Sequence, residues 1–262
     1  MHMKNAQRVK VRSKFMKPLD GKVLGIIGGM GPLATSTFYN MIIDKTEAEC
    51  DQDHINMILL NHATMPDRTA AIKAGNGEII KEKLYRDAKF LEESGACCIA
   101  VPCNTSHFVL GEVAEQLNIP VINMIEEGVL KVIRTEQRKG IEPKDIKVGI
   151  MATDGTIKFG LYHKECERMG VTPVEPDPEA QEKVMKIIYE GVKEGKPVDP
   201  ADFYFVANNF KEKGCNCVLL ACTELSVLKV QRDLPDYFVD AMEALTEKAV
   251  ELCKGEYIKI RR

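Results

Sequence analysis

Short β-branched apolar runs alternate with longer stretches of helical periodicity along nearly the whole chain, and this alternation limits the fold more than any other feature. Strands are predicted at 22–27, 55–60, 97–101, 121–122, 146–151, 217–220 and 238–239. Helices are predicted at 32–45, 77–94, 106–117, 125–136, 158–169, 178–194 and 199–213, then after Cys222 and again up to about Cys253. A strand, a helix and a second strand in succession make a crossover unit, which sets the strands parallel and covers the sheet with helices. The expectation is an α/β protein with parallel sheets flanked by helices.

The alternation is also internally repeated. "GACCIAVPCNT" begins at Gly95 and "GCNCVLLACTE" at Gly214, and in each a cysteine stands eight residues after the glycine. "KVLGIIGGMG" from Lys22 matches "KVGIMATDGT" from Lys147, and "PVINMIEEG" matches "YFVDAMEAL" in the same order. Three landmarks in one order point to a duplication. We therefore expect two similar lobes related by a pseudo-twofold axis, with the site in the cleft between them. The first lobe is expected over 21–122 with the segment 237–262 packing back on it, and the second over 123–236. Residues 1–20 are basic, lack the apolar stretch of a secretory signal and read as a flexible lead-in.

Charge and cysteine usage narrow the class. A net charge of −3 gives no reason to expect nucleic acid or an anionic membrane as a partner. The longest apolar runs, such as 23–27 and 218–222, are too short to span a bilayer. Nine cysteines, several inside apolar runs (Cys97, Cys98, Cys217), suit reduced thiols in a cytoplasmic protein better than a disulfide framework. No CxxC pair occurs and Cys215 and Cys217 lack zinc-finger partners, so the spacing supplies no metal set.

The chemistry is expected where strands end. In open α/β sheets ligands bind beyond the carboxyl ends of the strands, near helix starts. Cys103 in "VPCNTSH" and Cys222 in "LLACTEL" occupy such places once per lobe. Asn104, Thr105 and Ser106 follow the first, and Thr223 the second; all are helix-capping types. A helix N-terminus favours the thiolate, so each cysteine is expected to act as base when ionised and acid when neutral. A single buried cysteine is usually a packing residue; matched placement in a repeat argues for chemistry. Two such groups on opposite faces of one carbon suit inversion of a stereocentre. His107 falls one turn after Cys103, where it either tunes the thiol or is an ordinary part-buried histidine. Gly29-Met30-Gly31-Pro32-Leu33-Ala34 matches a dinucleotide fingerprint only weakly, because the next strand ends in Asn61-His62 with no acid for a ribose. The same loop is expected to offer a backbone seat for a small carboxylate.

The segments "GIIGGMGPLAT" (25–35), "MPDRT" (65–69), "VPCNTSH" (101–107) and "ACTEL" (221–225) give the chain its resemblance to the aspartate/glutamate racemases that work without pyridoxal phosphate. It looks closest to the aspartate branch. The resemblance implies a homodimer, no cofactor, and Cys103 and Cys222 as the two bases acting on aspartate or glutamate. It further implies that Met30 and Gly31 line the cleft, that Asn104, Thr105 and Thr223 hold the α-carboxylate or amino group, and that Arg68 and Lys193 hold a carboxylate. Two rival readings stand beside it. One is an isomerase or racemase of another small carboxylic acid on the same scaffold. The other is a small-molecule binding module without turnover.

Overall fold

The computed structural model describes residues 19–254. Of the lead-in expected over 1–20, all but residues 19 and 20 lie outside the described residues, as does the last part of the segment 237–262.

Two parallel sheets form. The first has the order β2-β1-β3, from Asn56–Asn61, Val23–Gly28 and Cys98–Ala100. The second has the order β5-β4-β6-β7, from Thr172–Val174, Lys147–Met151, Cys217–Leu220 and Phe238–Asp240. The strand predicted at 121–122 is reduced to one bridge between Val121 and Ile99. Strand β5 was not predicted: it is three residues long with a central proline, a composition tolerated only at a sheet edge.

Period-two alternation assigns each strand face to a different core. Leu24 and Ile26 of β1, Val148 and Ile150 of β4, and Cys217 and Leu219 of β6 enter one shared core. Their neighbours Val218, Leu220 and Met151 turn to the outer core of the second lobe, and Ile27 and Ile99 to that of the first. Both faces of the inner strands β1, β4 and β6 are therefore buried, as crossover helices require, while the edge strands β2 and β5 stay partly exposed. The shared core is filled by four helices: α1 (Pro32–Lys45) through Phe38 and Ile42, α5 (Met124–Gln137) through Val129 and Val132, α7 (Leu161–Arg168) through Tyr162 and Cys166, and α11 (Ala241–Lys254) through Leu245 and Ala249.

Strand β7 belongs to the second sheet, while α11, which follows it directly, packs on α1, α5, β1 and β3. The segment after residue 237 thus crosses from one lobe to the other at Asp240. That carboxylate accepts from the Ser226 hydroxyl at 2.6 Å and the Met242 N–H at 2.8 Å.

The remaining helices are α2 (Arg68–Lys73), α3 (Gly77–Glu93), α4 (His107–Ala114), α6 (Asp154–Phe159), α8 (Pro178–Lys186), α9 (Pro200–Glu212) and α10 (Thr223–Arg232). Helix α2, too short for periodicity to reveal, starts on the Asp67 side chain, which accepts from the Ala70 N–H at 2.8 Å. The helix predicted over 158–169 starts earlier, capped by Thr153, and is cut by Gly160 at φ +61°. The helix predicted over 178–194 is α-helical only to Lys186 and continues as a π-helix over Ile187–Lys193.

A charged cluster joins α1, α5, α10 and α11. Glu243 meets Lys45 at 2.7 Å, Lys131 at 3.4 Å and Lys229 at 3.6 Å. Burial alone would raise its carboxyl pKa, but the lysines pull it from 4.5 down to about 2. A folded-state pKa below the unfolded one contributes stability above the unfolded value and loses it as pH falls through the folded value. The loss should run from about pH 4.5 down to about pH 2, with a contribution on the order of 2–3 kcal/mol. In denaturant unfolding, Glu243→Gln should therefore be less stable than wild type at about pH 7, with the gap closing near pH 2. A gap independent of pH would show that the carboxylate is not held ionised by the cluster.

Candidate active site

The carboxyl ends of both sheets meet at a narrow cavity. Cys103, two residues beyond the Val101 that follows β3, lines it from the first lobe, and Cys222, two residues beyond β6, from the second. Both sulfur-bearing residues are about 5% exposed. Met30, Asp67, Arg68, Thr69, Asn104 and Thr105 complete the first lobe's wall, and Thr153, Tyr189, Lys193, Thr223 and Glu224 that of the second.

The two cysteines differ in their local frames. Cys222 is the N-cap residue of α10 in extended conformation, φ −148° and ψ 132°. Cys103 does not sit at a helix start: a turn over 104–106 intervenes and α4 begins at His107. Ser106 is the N-cap there and makes no side-chain cap bond. His107 settles its own alternative. Its Nε2 accepts from the Met124 N–H at 3.1 Å, so Nδ1 carries the proton and donates to the Cys103 carbonyl at 3.0 Å. Burial lowers the ring's pKa, and the neutral imidazole pins the Cys103 backbone to the start of α5.

Charge around the sulfurs is arranged asymmetrically. The Cys222 thiol lies 3.0 Å from Glu224 Oε2. Burial first, and then Glu224, push its pKa well up, with Lys193 pulling the other way. The expectation that a helix start lowers both thiols therefore fails at Cys222: burial and a carboxylate outweigh the terminal dipole. On the other side, burial alone would lower the Arg68 guanidinium, but Cys103, Asp67 and Glu224 hold it above its ordinary value.

Arg68 is 8% exposed and anchored to the backbone. Nη1 donates to the carbonyls of Pro66 at 2.8 Å and Met65 at 3.4 Å, and Nη2 to that of Met30 at 3.2 Å. Nε is buried without a partner. Lys193 comes from the π-helix and lies 3.8 Å from both Asp67 Oδ2 and Glu224 Oε1, with its ammonium 4.4 Å over the Tyr189 ring. Asn104 Oδ1 accepts from the buried Tyr162 hydroxyl, which leaves Asn104 Nδ2 buried and unpartnered. Glu224 Oε1 has no hydrogen-bond partner either. The lining residues thus hold two donors without a hydrogen-bond partner, Arg68 Nε and Asn104 Nδ2, and one carboxylate oxygen, Glu224 Oε1, whose neighbour is the Lys193 ammonium at 3.8 Å.

The other residues singled out in the sequence divide in two. Thr223 is buried in the wall, 3.4 Å from Glu224 Oε2. The Thr105 hydroxyl shares hydrogen bonds with those of Thr153 at 3.1 Å and Thr156 at 3.0 Å, a tie between the lobes. Met30 lines the cavity, with Ser106 Oγ 3.4 Å from its sulfur. Gly31 does not line it; it stands at the start of α1, and a Cβ there would be 3.6 Å from Glu224 Oε1. In the glycine loop the Gly29 N–H is taken up by Thr35 Oγ1 at 2.9 Å and so is not available to a bound anion. Gly29 itself is required there: its φ is +89° and a Cβ would lie 2.5 Å from the His62 backbone.

Sequence reasoning missed Asp67, Thr69, Thr153, Tyr189 and Glu224. Asp67 and Glu224 stand inside the quoted segments "MPDRT" and "ACTEL", and charge at a proposed site was a usable signal. Tyr189 is four residues before Lys193 and shares its helix face, but nothing in the pattern announced a π-helix.

Residues 27–249 match the Asp/Glu/Hydantoin racemase family. The chain belongs to that family. The aspartate racemase of Picrophilus torridus superimposes with a TM-score of 0.75 at 30% identity, covering 91% of this chain and 96% of that one. The aspartate racemase homologue of Pyrococcus horikoshii does so at 0.70 and 26%, covering 89% and 99%. The broad specificity amino-acid racemase RacX of Bacillus subtilis is 24% identical over 234 residues, covering 87% of this chain and 96% of that protein. Family membership supports an amino-acid racemase that takes small amino-acid substrates, and among the described residues no helix is long and apolar enough to cross a membrane.

Proposed function

We propose that this racemase interconverts L- and D-aspartate, with glutamate as the nearest alternative, by proton transfer between Cys103 and Cys222 and without a cofactor. The observation that carries the reading is the set of unpartnered groups on residues that line one cavity together with the two thiols. Arg68 Nε and Asn104 Nδ2 can donate to a carboxylate, and Glu224 Oε1 can accept from an ammonium. Lys193 supplies a cation for a second carboxylate. An acidic amino acid satisfies all of these at once, and its α-carbon then lies between the sulfurs.

In this reading the cycle starts with the proton on the Cys222 sulfur, whose pKa burial and Glu224 raise and whose thiol has the Glu224 carboxylate as acceptor. The Cys103 thiolate takes the α-proton, the electron pair passes into the carboxylate, and the Cys222 S–H delivers its proton to the opposite face. Cys103 is left as thiol and Cys222 as thiolate, and the reverse turnover restores the start. Arg68 and Asn104 stabilise the charge that grows on the carboxylate in a site that excludes water. The homodimer implied by the resemblance is part of this reading, with the cleft formed within one chain.

Proton NMR of L-aspartate in D₂O with purified protein and no added cofactor tests the assignment, with chiral analysis of the product. Loss of the α-proton signal with accumulating D-aspartate is expected. Turnover of glutamate or of a neutral amino acid in its place would move the substrate, and no exchange with any of them would leave a binding module.

Glu224 supplies a second test. Removing its charge should let the Cys222 thiol ionise more easily, because a neighbouring anion opposes the thiolate. In Glu224→Gln the pH midpoint for alkylation of Cys222 by iodoacetamide should fall, and the falling limb of the pH–rate profile, in the direction in which Cys222 is the acid, should move down with it. An unchanged midpoint would remove Glu224 from the control of that sulfur.

A further inference from the structure

Three cysteines that take no part in the cleft meet at the opposite end of the first sheet. Cys97 and Cys98 stand at the start of β3, whereas Cys103 lies beyond its end, and Cys253 sits in the last turn of α11. The Cys98 and Cys253 sulfurs are 3.8 Å apart and those of Cys97 and Cys98 are 4.0 Å apart. All three lie within 4.8 Å of one another. Successive residues of a strand point to opposite faces. Cys97 escapes that rule because it occupies the bend before the strand, where its N–H donates to the Val23 carbonyl at 2.8 Å. None of the three is in a disulfide.

We propose that Cys97, Cys98 and Cys253 form a binding site for a soft, closed-shell metal ion, with monovalent copper the best fit. Sulfurs at about 2.3 Å from one ion lie about 3.8 Å apart in a tetrahedral arrangement and about 4.0 Å apart in a trigonal one. The two short separations match such a shared ion and are well beyond the ~2.05 Å of a disulfide. Thiolate sets select copper(I) and zinc over hard cations. Among the described residues no fourth His, Cys, Asp or Glu joins the group. Three sulfurs alone suit trigonal copper(I), whereas structural zinc takes four protein ligands.

The surroundings suit the charges involved. Lys22, whose Nζ donates to the Leu252 carbonyl at 2.8 Å, offsets part of the negative charge of three thiolates. Binding displaces the thiol protons to solvent and forms three copper–sulfur bonds, with no change of oxidation state. The ion would join β3 to the last turn of the helix that spans both lobes.

The test uses the full chain carrying Cys103→Ser and Cys222→Ser, so that the cleft thiols do not compete. It is reduced with a thiol-free phosphine and titrated without oxygen with copper(I) against bicinchoninate. One copper per chain should resist the chelator and show thiolate-to-copper absorption in the near ultraviolet. Adding Cys253→Ser or Cys98→Ser should weaken retention about 100-fold or more. In the otherwise unmutated chain, copper should protect Cys97, Cys98 and Cys253 from iodoacetamide, read by peptide mapping, and raise the melting temperature. Equal retention in Cys253→Ser, equal labelling with and without copper, or preferential retention of zinc would overturn the assignment. So would a Cys98–Cys253 disulfide that forms under copper in place of a stable complex.

Discussion

Cys103→Ser and Cys222→Ser are each expected to lower racemisation by about 10³-fold or more, at the upper part of the range for a positioned acid or base. A serine hydroxyl is a far weaker acid than a thiol and does not supply an equivalent base. The two variants should also fail differently. With Cys222 replaced, the Cys103 thiolate still reaches the α-proton of the enantiomer that faces it, and returns solvent deuterium to the same side. That enantiomer exchanges without inverting, and its mirror image does not exchange. Cys103→Ser should show the opposite preference. Deuterium incorporation into each pure enantiomer, followed by NMR, reads this directly. Exchange of both enantiomers by either variant, or full turnover, would rule out opposed thiols as the proton carriers.

Arg68→Ala should be the second most damaging change, lowering kcat/KM for aspartate by about 10² to 10³-fold, the scale of losing one donor to developing charge. The side chain has two tasks. Its Nη groups tie the carbonyls of Met30, Met65 and Pro66 together, and its Nε is the donor left for a ligand. Lysine keeps the charge but lacks the planar fork, so Arg68→Lys should recover only a small part of the activity. Lys193→Ala should cost less, because that side chain is 24% exposed and its ammonium stands 3.8 Å from its carboxylate neighbours. Steady-state kinetics on folded variants decides the order. A folded Arg68→Ala with unchanged kcat/KM would remove the arginine from carboxylate binding.

The sheet strands and most helices were readable because their signals are local. Pro32–Lys45 and Cys217–Leu220 are bounded by a proline start and a short apolar run, and the structure keeps both as predicted. The elements that escaped were set by their neighbours. Strand β5 exists because β4 offers it an edge, and α2 exists because Asp67 caps it beside the cleft. The π-helix follows good α-helical sequence without a break, so no propensity marked the register change that brings Tyr189 and Lys193 to the cavity.

The same division holds at the site. The repeat placed one cysteine after a strand in each lobe, and the structure puts both in one cavity. Their electrostatic surroundings were not readable, since the helix-start argument treats both alike. Burial of Cys222 and the approach of Glu224 depend on how the lobes close, and they reverse the expected shift. Spacing rules likewise missed the meeting of Cys98 with Cys253 across 155 residues, because ligand spacing detects only partners close along the chain. By itself the sequence determined the parallel α/β lobes, their duplication and the two thiols, because strand period, helix period and turn chemistry act over a few residues. Tertiary structure alone decided which charge faces which sulfur, which donors stay free and which distant cysteines touch. Those depend on burial and on distances of a few ångströms between segments far apart in the chain.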